Sequence, residues 1–125
     1  MPILNSVILK EKIPIKNLTI ILDEDDNVLD CIKSGMITHN VKECNTINVS
    51  GYLKSGLINY MDRHEFKSEE IKNRQITKAS GNFKVNNKEL FGKLNIFISG
   101  RRPLSATLVK ATATQNFELT LEFIE

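Results

Sequence analysis

The chain has 125 residues, a formal net charge of +2, 41% hydrophobic and 26% charged residues, and no tryptophan. A single domain of that size buries about two-thirds of its unfolded surface, so neither a metal nor a disulfide staple is required and disorder is not expected. No apolar run approaches the ~20 residues of a membrane-crossing helix, and two cysteines, Cys31 and Cys44, are too few for a disulfide framework.

The N-terminal stretch Met1 to Leu9 carries no basic leader, so synthesis in the cytoplasm without a signal peptide is expected. With aromatics at 6%, the core must come from Ile, Leu and Val, which leans toward sheet. Val7-Ile8-Leu9 and Ile13 to Leu22 form two apolar segments, with Pro14 marking an edge or a strand start. Leu18 to Leu22 reads as a strand. Asp23-Glu24-Asp25-Asp26 then precede Asn27 to Gly35, with carboxylates first, Lys33 late and a glycine at the stop. That order predicts a short helix with Val28, Leu29 and Ile32 on its buried stripe. The acidic run lacks the alternate ligands, central glycine and distant glutamate of a calcium loop.

Met36 to Tyr60 predicts two or three strands, with glycines at 51 and 56 breaking the alternation. Met61 to Lys78 is the most polar part and reads as a loop with a strand near Gln75-Ile76-Thr77. Phe83 and Val85 alternate with Asn82 and Lys84, and Asn86-Asn87 is a turn dipeptide. From Leu94 to Ile124 a period of two persists through three segments, broken at Ser99 to Pro103 and at Gln115-Asn116. That is an antiparallel meander. About eight to ten short strands and one helix predict an all-β single domain over residues 1–125, either an antiparallel β-sandwich or a partly open barrel.

Chemistry is harder to find. His39, His64, Cys31 and Cys44 lack zinc-site spacing. The Ser-Gly pairs at 50, 55, 80 and 99 lack phosphate-loop spacing and read as turns. No catalytic, cofactor or metal residues are therefore assigned, and the chain is expected not to be an enzyme. Charge carries more information. Residues 1–62 hold six Lys/Arg against eight Asp/Glu, whereas residues 63–110 hold eleven against four. Lys84, Lys88, Lys93, Arg101, Arg102 and Lys110 make a candidate basic face, with Phe83, Phe91 and Phe97 as aromatics on which bases could stack. The same charges serve an assembly reading. An acidic edge of Asp23, Glu24, Asp25 and Asp26 would meet Lys93, Arg101 and Arg102 of a neighbouring copy, with Cys31 and Cys44 as candidate cross-links.

Ile13-Pro14-Ile15, the acidic stretch into Asn27-Val28-Leu29-Asp30, and Ile47 to Leu53 followed by a segment ending in Tyr60 resemble the spore-coat and spore-associated (SPOCS) domain family of spore-forming bacteria. The resemblance implies a non-enzymatic structural protein of the spore surface or another coat-like or fibrous assembly. It would act as a homo-oligomer or polymer, or dock on other structural proteins. A small nucleic-acid-binding β-barrel using the 84–110 face is the alternative.

Overall fold

The computed structural model describes residues 15–98 and 104–124. The apolar segment at 7–9, Pro14, the break at 99–103 and with it Arg101 and Arg102 lie outside the described residues. The elements are β1 (Ile15–Leu22), α1 (Val28–Thr38), β2 (Glu43–Asp62), β3 (Glu65–Asn86), β4 (Glu89–Ile98), β5 (Leu104–Ala113) and β6 (Phe117–Ile124). All strand pairs are antiparallel, in the order β1-β6-β2-β3-β4-β5, and β5 returns to pair with β2. That last pairing closes β2, β3, β4 and β5 into a ring, while β6 and β1 continue the sheet from the first half of β2. The class is all-β with one short helix, in the partly open barrel form.

Among the described residues there are six strands where the sequence suggested eight to ten along the whole chain, because two of the six are very long. β2 buries Cys44 and Thr46, then Val49 and Leu53, then Ile58. The inward parity thus switches twice. The switches coincide with register shifts against β6 at Thr46/Asn48 and against β5 at Leu53/Ser55. A bulge turns successive side chains over without ending the strand, so one strand reads as several. The polar stretch expected as a loop is likewise strand. Arg63 and His64 take φ of 50° and 71° between Asp62 and Glu65, the double left-handed geometry of a two-residue hairpin turn. Asn87 and Lys88 do the same between β3 and β4.

Gly51, Gly56 and Gly81 are also corrected from turns to strand positions. At Gly81 a Cβ would sit 2.3 Å from the Lys93 carbonyl oxygen, so only glycine lets β3 and β4 approach this closely. Gly35 does not end the helix either. It lies inside α1, where a Cβ would meet the Ile20 side chain of β1, and the helix runs on to Thr38. Asn27 is the N-cap, its side chain accepting from the Asp30 amide at 3.0 Å. Val28, Ile32 and Met36 face the core, and α1 packs on β5, β1 and β3. One core joins Leu22, Phe83, Phe117, Leu119, Leu121 and Ile98 across helix and sheet.

Candidate functional site

The four acids share one turn, and two of them, Glu24 and Asp25, are paired with Lys54. Residues 23–26 form a turn stitched to the end of β5: the Asp25 amide donates to the Ala113 carbonyl, and the Ala113 amide to the Asp26 carbonyl, both at 2.9 Å. Asp26 also accepts from the Asp23 amide at 2.9 Å. Lys54, on β2, reaches Asp25 at 2.6 Å and Glu24 at 3.7 Å. The hydrogen bond from Lys54 to Asp25 holds the ammonium above its ordinary range. The assembly reading sets this turn against Lys93 of a neighbouring copy; the turn lies against β5 and Lys54 of β2, and Lys93 lies on β4 opposite Asn82.

Cys31 and Cys44 are both free thiols. Cys44 is buried and its Sγ lies 3.7 Å from the Met36 sulfur. Burial, with help from Glu43, pushes its pKa up to about 11. The half-buried Cys31 is also raised, by desolvation and then by Asp26, Asp30 and Asp23. Neither thiol is an activated nucleophile.

Among the described residues several clefts are open to solvent, and two of them bear on the candidate residues. One, of about 910 Å³, lies between the turn after α1 and the ends of β1 and β6, with His39, Lys42, Glu43 and Glu122 on its walls. His64 stands at the β2–β3 turn instead. Among the described residues no three of His, Cys, Asp and Glu converge as a metal site would require. The second cleft, of about 410 Å³, opens where β2 and β3 part company between the Thr46–Gly81 and Gly51–Ile76 pairs.

That second cleft lies beside the basic residues. The alternation of β4 turns Leu94, Ile96 and Ile98 inward, leaving Phe91, Lys93, Asn95 and Phe97 on the outer face. On β3, Phe83 is inward, so Lys78, Ser80, Asn82 and Lys84 are outward. The register sets Lys84 opposite Phe91, Asn82 opposite Lys93, Ser80 opposite Asn95 and Lys78 opposite Phe97. No carboxylate interrupts residues 78–84 or 91–97. Lys84 has one distant partner, Glu43 at 4.0 Å on β2. Asn82 donates to Asn45 at 2.9 Å, and Thr107 to Asn95 at 3.0 Å, so the polar row is held in place by neighbouring strands.

The structure therefore keeps Lys84, Lys88 and Lys93 on one hairpin and adds Lys78. It removes Phe83, which is wholly buried, from the aromatic set, while Phe91 is 51% and Phe97 36% exposed. Lys110 stands apart, past the bulge at Val109, near Lys72 and Glu70. Lys78 was legible in the spacing: it is six residues before Lys84, and therefore on the same face of an unbroken strand.

No family model matches the chain, and no curated protein matches it. Solved structures do. A metal-containing protein of Archaeoglobus fulgidus superposes with a TM-score of 0.73 at 18% identity, over 88% of this chain and 80% of that one. A candidate DNA-binding protein of Ralstonia eutropha JMP134 gives 0.70 at 12% identity, over 86% and 76%. A plant- and prokaryote-conserved (PPC) protein of Pyrococcus horikoshii gives 0.71 at 19% identity, over 88% and 79%. At such identities the likeness establishes the fold and leaves the activity open. No helix among the described residues is long and apolar enough to cross a membrane.

Proposed function

We propose that this chain is a non-enzymatic nucleic-acid-binding β-barrel module that works through the outer face of β3 and β4. The observation that carries the reading is the outer row of residues 78–84 and 91–97, stretches without a carboxylate of their own, in which Lys78, Lys84 and Lys93 alternate with open Phe91 and Phe97 and Glu43 of β2 is the acid beside Lys84. Lysines on a firm sheet can neutralise phosphates, and exposed rings offer apolar surface to bases. Structures of like fold described as candidate DNA-binding proteins, from R. eutropha and from Bacteroides thetaiotaomicron, support the same direction. Fluorescence anisotropy with labelled oligonucleotides tests it. Binding should weaken steeply between 50 and 200 mM salt, and Lys78→Gln with Lys93→Gln should flatten that dependence. Absence of binding at low salt overturns the proposal.

A second reading has its own observation. Past the last β2–β5 pair at Asn59–Thr107, the β2–β3 hairpin is a two-stranded arm with Met61 and Phe66 paired and exposed. An apolar tip beside a strand edge that pairs with no other described strand suits protein docking or self-association. Light scattering decides: concentration-dependent growth abolished by Met61→Ser with Phe66→Ser supports it, and a monomer at every concentration overturns it. Placement on a spore surface rests on the sequence resemblance alone.

A further inference from the structure

We infer that the β3–β4 face takes a single-stranded polynucleotide, with bases laid on Phe91 and Phe97, in preference to a duplex. This rests on the nucleic-acid reading above and narrows its substrate class.

The first argument is one of shape. Sequence in a duplex is read by elements slim enough to enter the major groove, about 12 Å wide, meaning a helix or a two-stranded ribbon. Among the described residues α1 and the β2–β3 arm project in this way and neither is basic, while the β3–β4 hairpin runs clear of β2 and β5 only around its turn, between Lys84 and Leu94. α1 offers Lys33 against Asp30, with no cation in its last turn. The arm offers Arg63 and Lys67 against Asp62 and Glu65, and Lys67 is already bound to Asp62 at 3.0 Å. Lys78, Lys84 and Lys93 stand instead on the paired β3–β4 face, where β2 lines β3 from Gly81 to Lys84 and β5 lines β4 from Leu94 onward. Such a breadth of sheet spans more than a groove admits.

The second argument is the rings. Phe91 and Phe97 are six residues apart on one strand, about 20 Å at ~3.3 Å per residue. Each sits across the register from a lysine, Lys84 and Lys78, with Lys93 between them. Ring, cation, ring along one strand matches the alternation of base and phosphate in a single strand, whose unpaired bases have π-faces free to stack. A duplex buries those faces in its own stack and leaves the two rings with nothing to cover them.

The third argument is the parted strands. Ile47, Asn48, Ser80, Asn95 and Phe97 line the 410 Å³ cleft next to the Phe97 ring. It combines apolar wall with amide and hydroxyl groups, the mixture an unpaired base edge requires.

Three fluorescent probes test the inference by anisotropy: a 15-mer of deoxythymidine, a 15-mer of uridine, and the deoxythymidine strand annealed to its complement. The full chain should bind one or both single strands at least tenfold tighter than the duplex, the tighter one showing whether deoxyribose or ribose is preferred. Phe91→Leu with Phe97→Leu should cost the single strand ten- to a hundredfold and leave the duplex unchanged. Both positions are open to solvent, and circular dichroism checks that the sheet is intact. Equal or tighter duplex binding, or indifference to the double substitution while Lys78→Gln/Lys93→Gln weakens binding, overturns the single-strand inference and leaves the broader reading standing. Failure to bind any of the three overturns both.

Discussion

Replacing Gly81 by alanine should destabilise the fold far more than the same replacement at Gly35. At Gly81 the new methyl would lie 2.3 Å from the Lys93 carbonyl oxygen and 3.2 Å from the Leu94 Cα, both backbone. Reaching ordinary contact requires β3 and β4 to separate by roughly 1 Å. Overpacking of this kind costs about 1–3 kcal/mol, and a lost ladder hydrogen bond adds about 1 kcal/mol. Reduced freedom of the unfolded chain returns about 0.4–1 kcal/mol. The net expectation is about 1–3.5 kcal/mol. At Gly35 the obstacle is the Ile20 Cδ1 at 2.7 Å, the far end of a side chain that can turn away. Alanine also favours a helix interior by about 0.8–1 kcal/mol, so the net change should stay within about 1 kcal/mol. Urea unfolding followed by circular dichroism measures both. With a slope of about 1–3 kcal/mol per molar, the Gly81→Ala midpoint should fall by about 1–2 M at unchanged slope. Equal midpoints for the two variants, or a Gly81→Ala protein as stable as the parent, would refute the reasoning.

Thr46→Val should stabilise the protein by about 1 kcal/mol, because the buried Thr46 hydroxyl has no hydrogen-bond partner; a lower urea midpoint would show that the hydroxyl is satisfied. Asn27→Ala should cost about 1 kcal/mol through loss of the cap on the Asp30 amide, and an unchanged midpoint would contradict that cap. Cys44, pushed up to about 11 from an ordinary 9.0, should alkylate at pH 8 about a hundredfold more slowly in the folded protein than in urea. Because its folded value is the higher one, its share of stability is intact below pH 9 and is lost as pH climbs toward 11. Labelling as fast in the folded state as in urea would show that Cys44 is not enclosed.

Of the closing strands, β4 and β6 were legible because nothing disturbs their alternation, whereas β5 changes its buried parity at the bulge between Leu108 and Lys110. Leu94, Ile96 and Ile98, then Phe117, Leu119 and Leu121, face inward as a period of two demands. The helix was legible from its leading acids and apolar spacing, but neither its Asn27 cap nor its end was. Gly35 carries the signal of a stop and is instead a gap for Ile20, a fact set by β1 and invisible locally. β2 and β3 were obscured for a different reason. Bulges reverse the buried face along β2, and the Arg63-His64 turn lacks the asparagine–glycine signature such hairpins favour. A reader of periodicity sees fragments where the barrel needs one long bending strand. The basic face was partly visible as a charge excess. Which lysines share it depended on parity and pairing, so Lys78 joined it and Lys110 left it.

The central claim is that the outer surface of β3 and β4 is where nucleic acid lies. Amide-resolved NMR of the labelled protein, titrated with a deoxythymidine 15-mer, addresses it without any substitution. The account predicts that signals of residues 78–84 and 91–97 move first and furthest, with those of α1 and the 60–67 arm nearly still. Movement concentrated on α1 or the arm, or a spectrum that does not change at low salt, would contradict it.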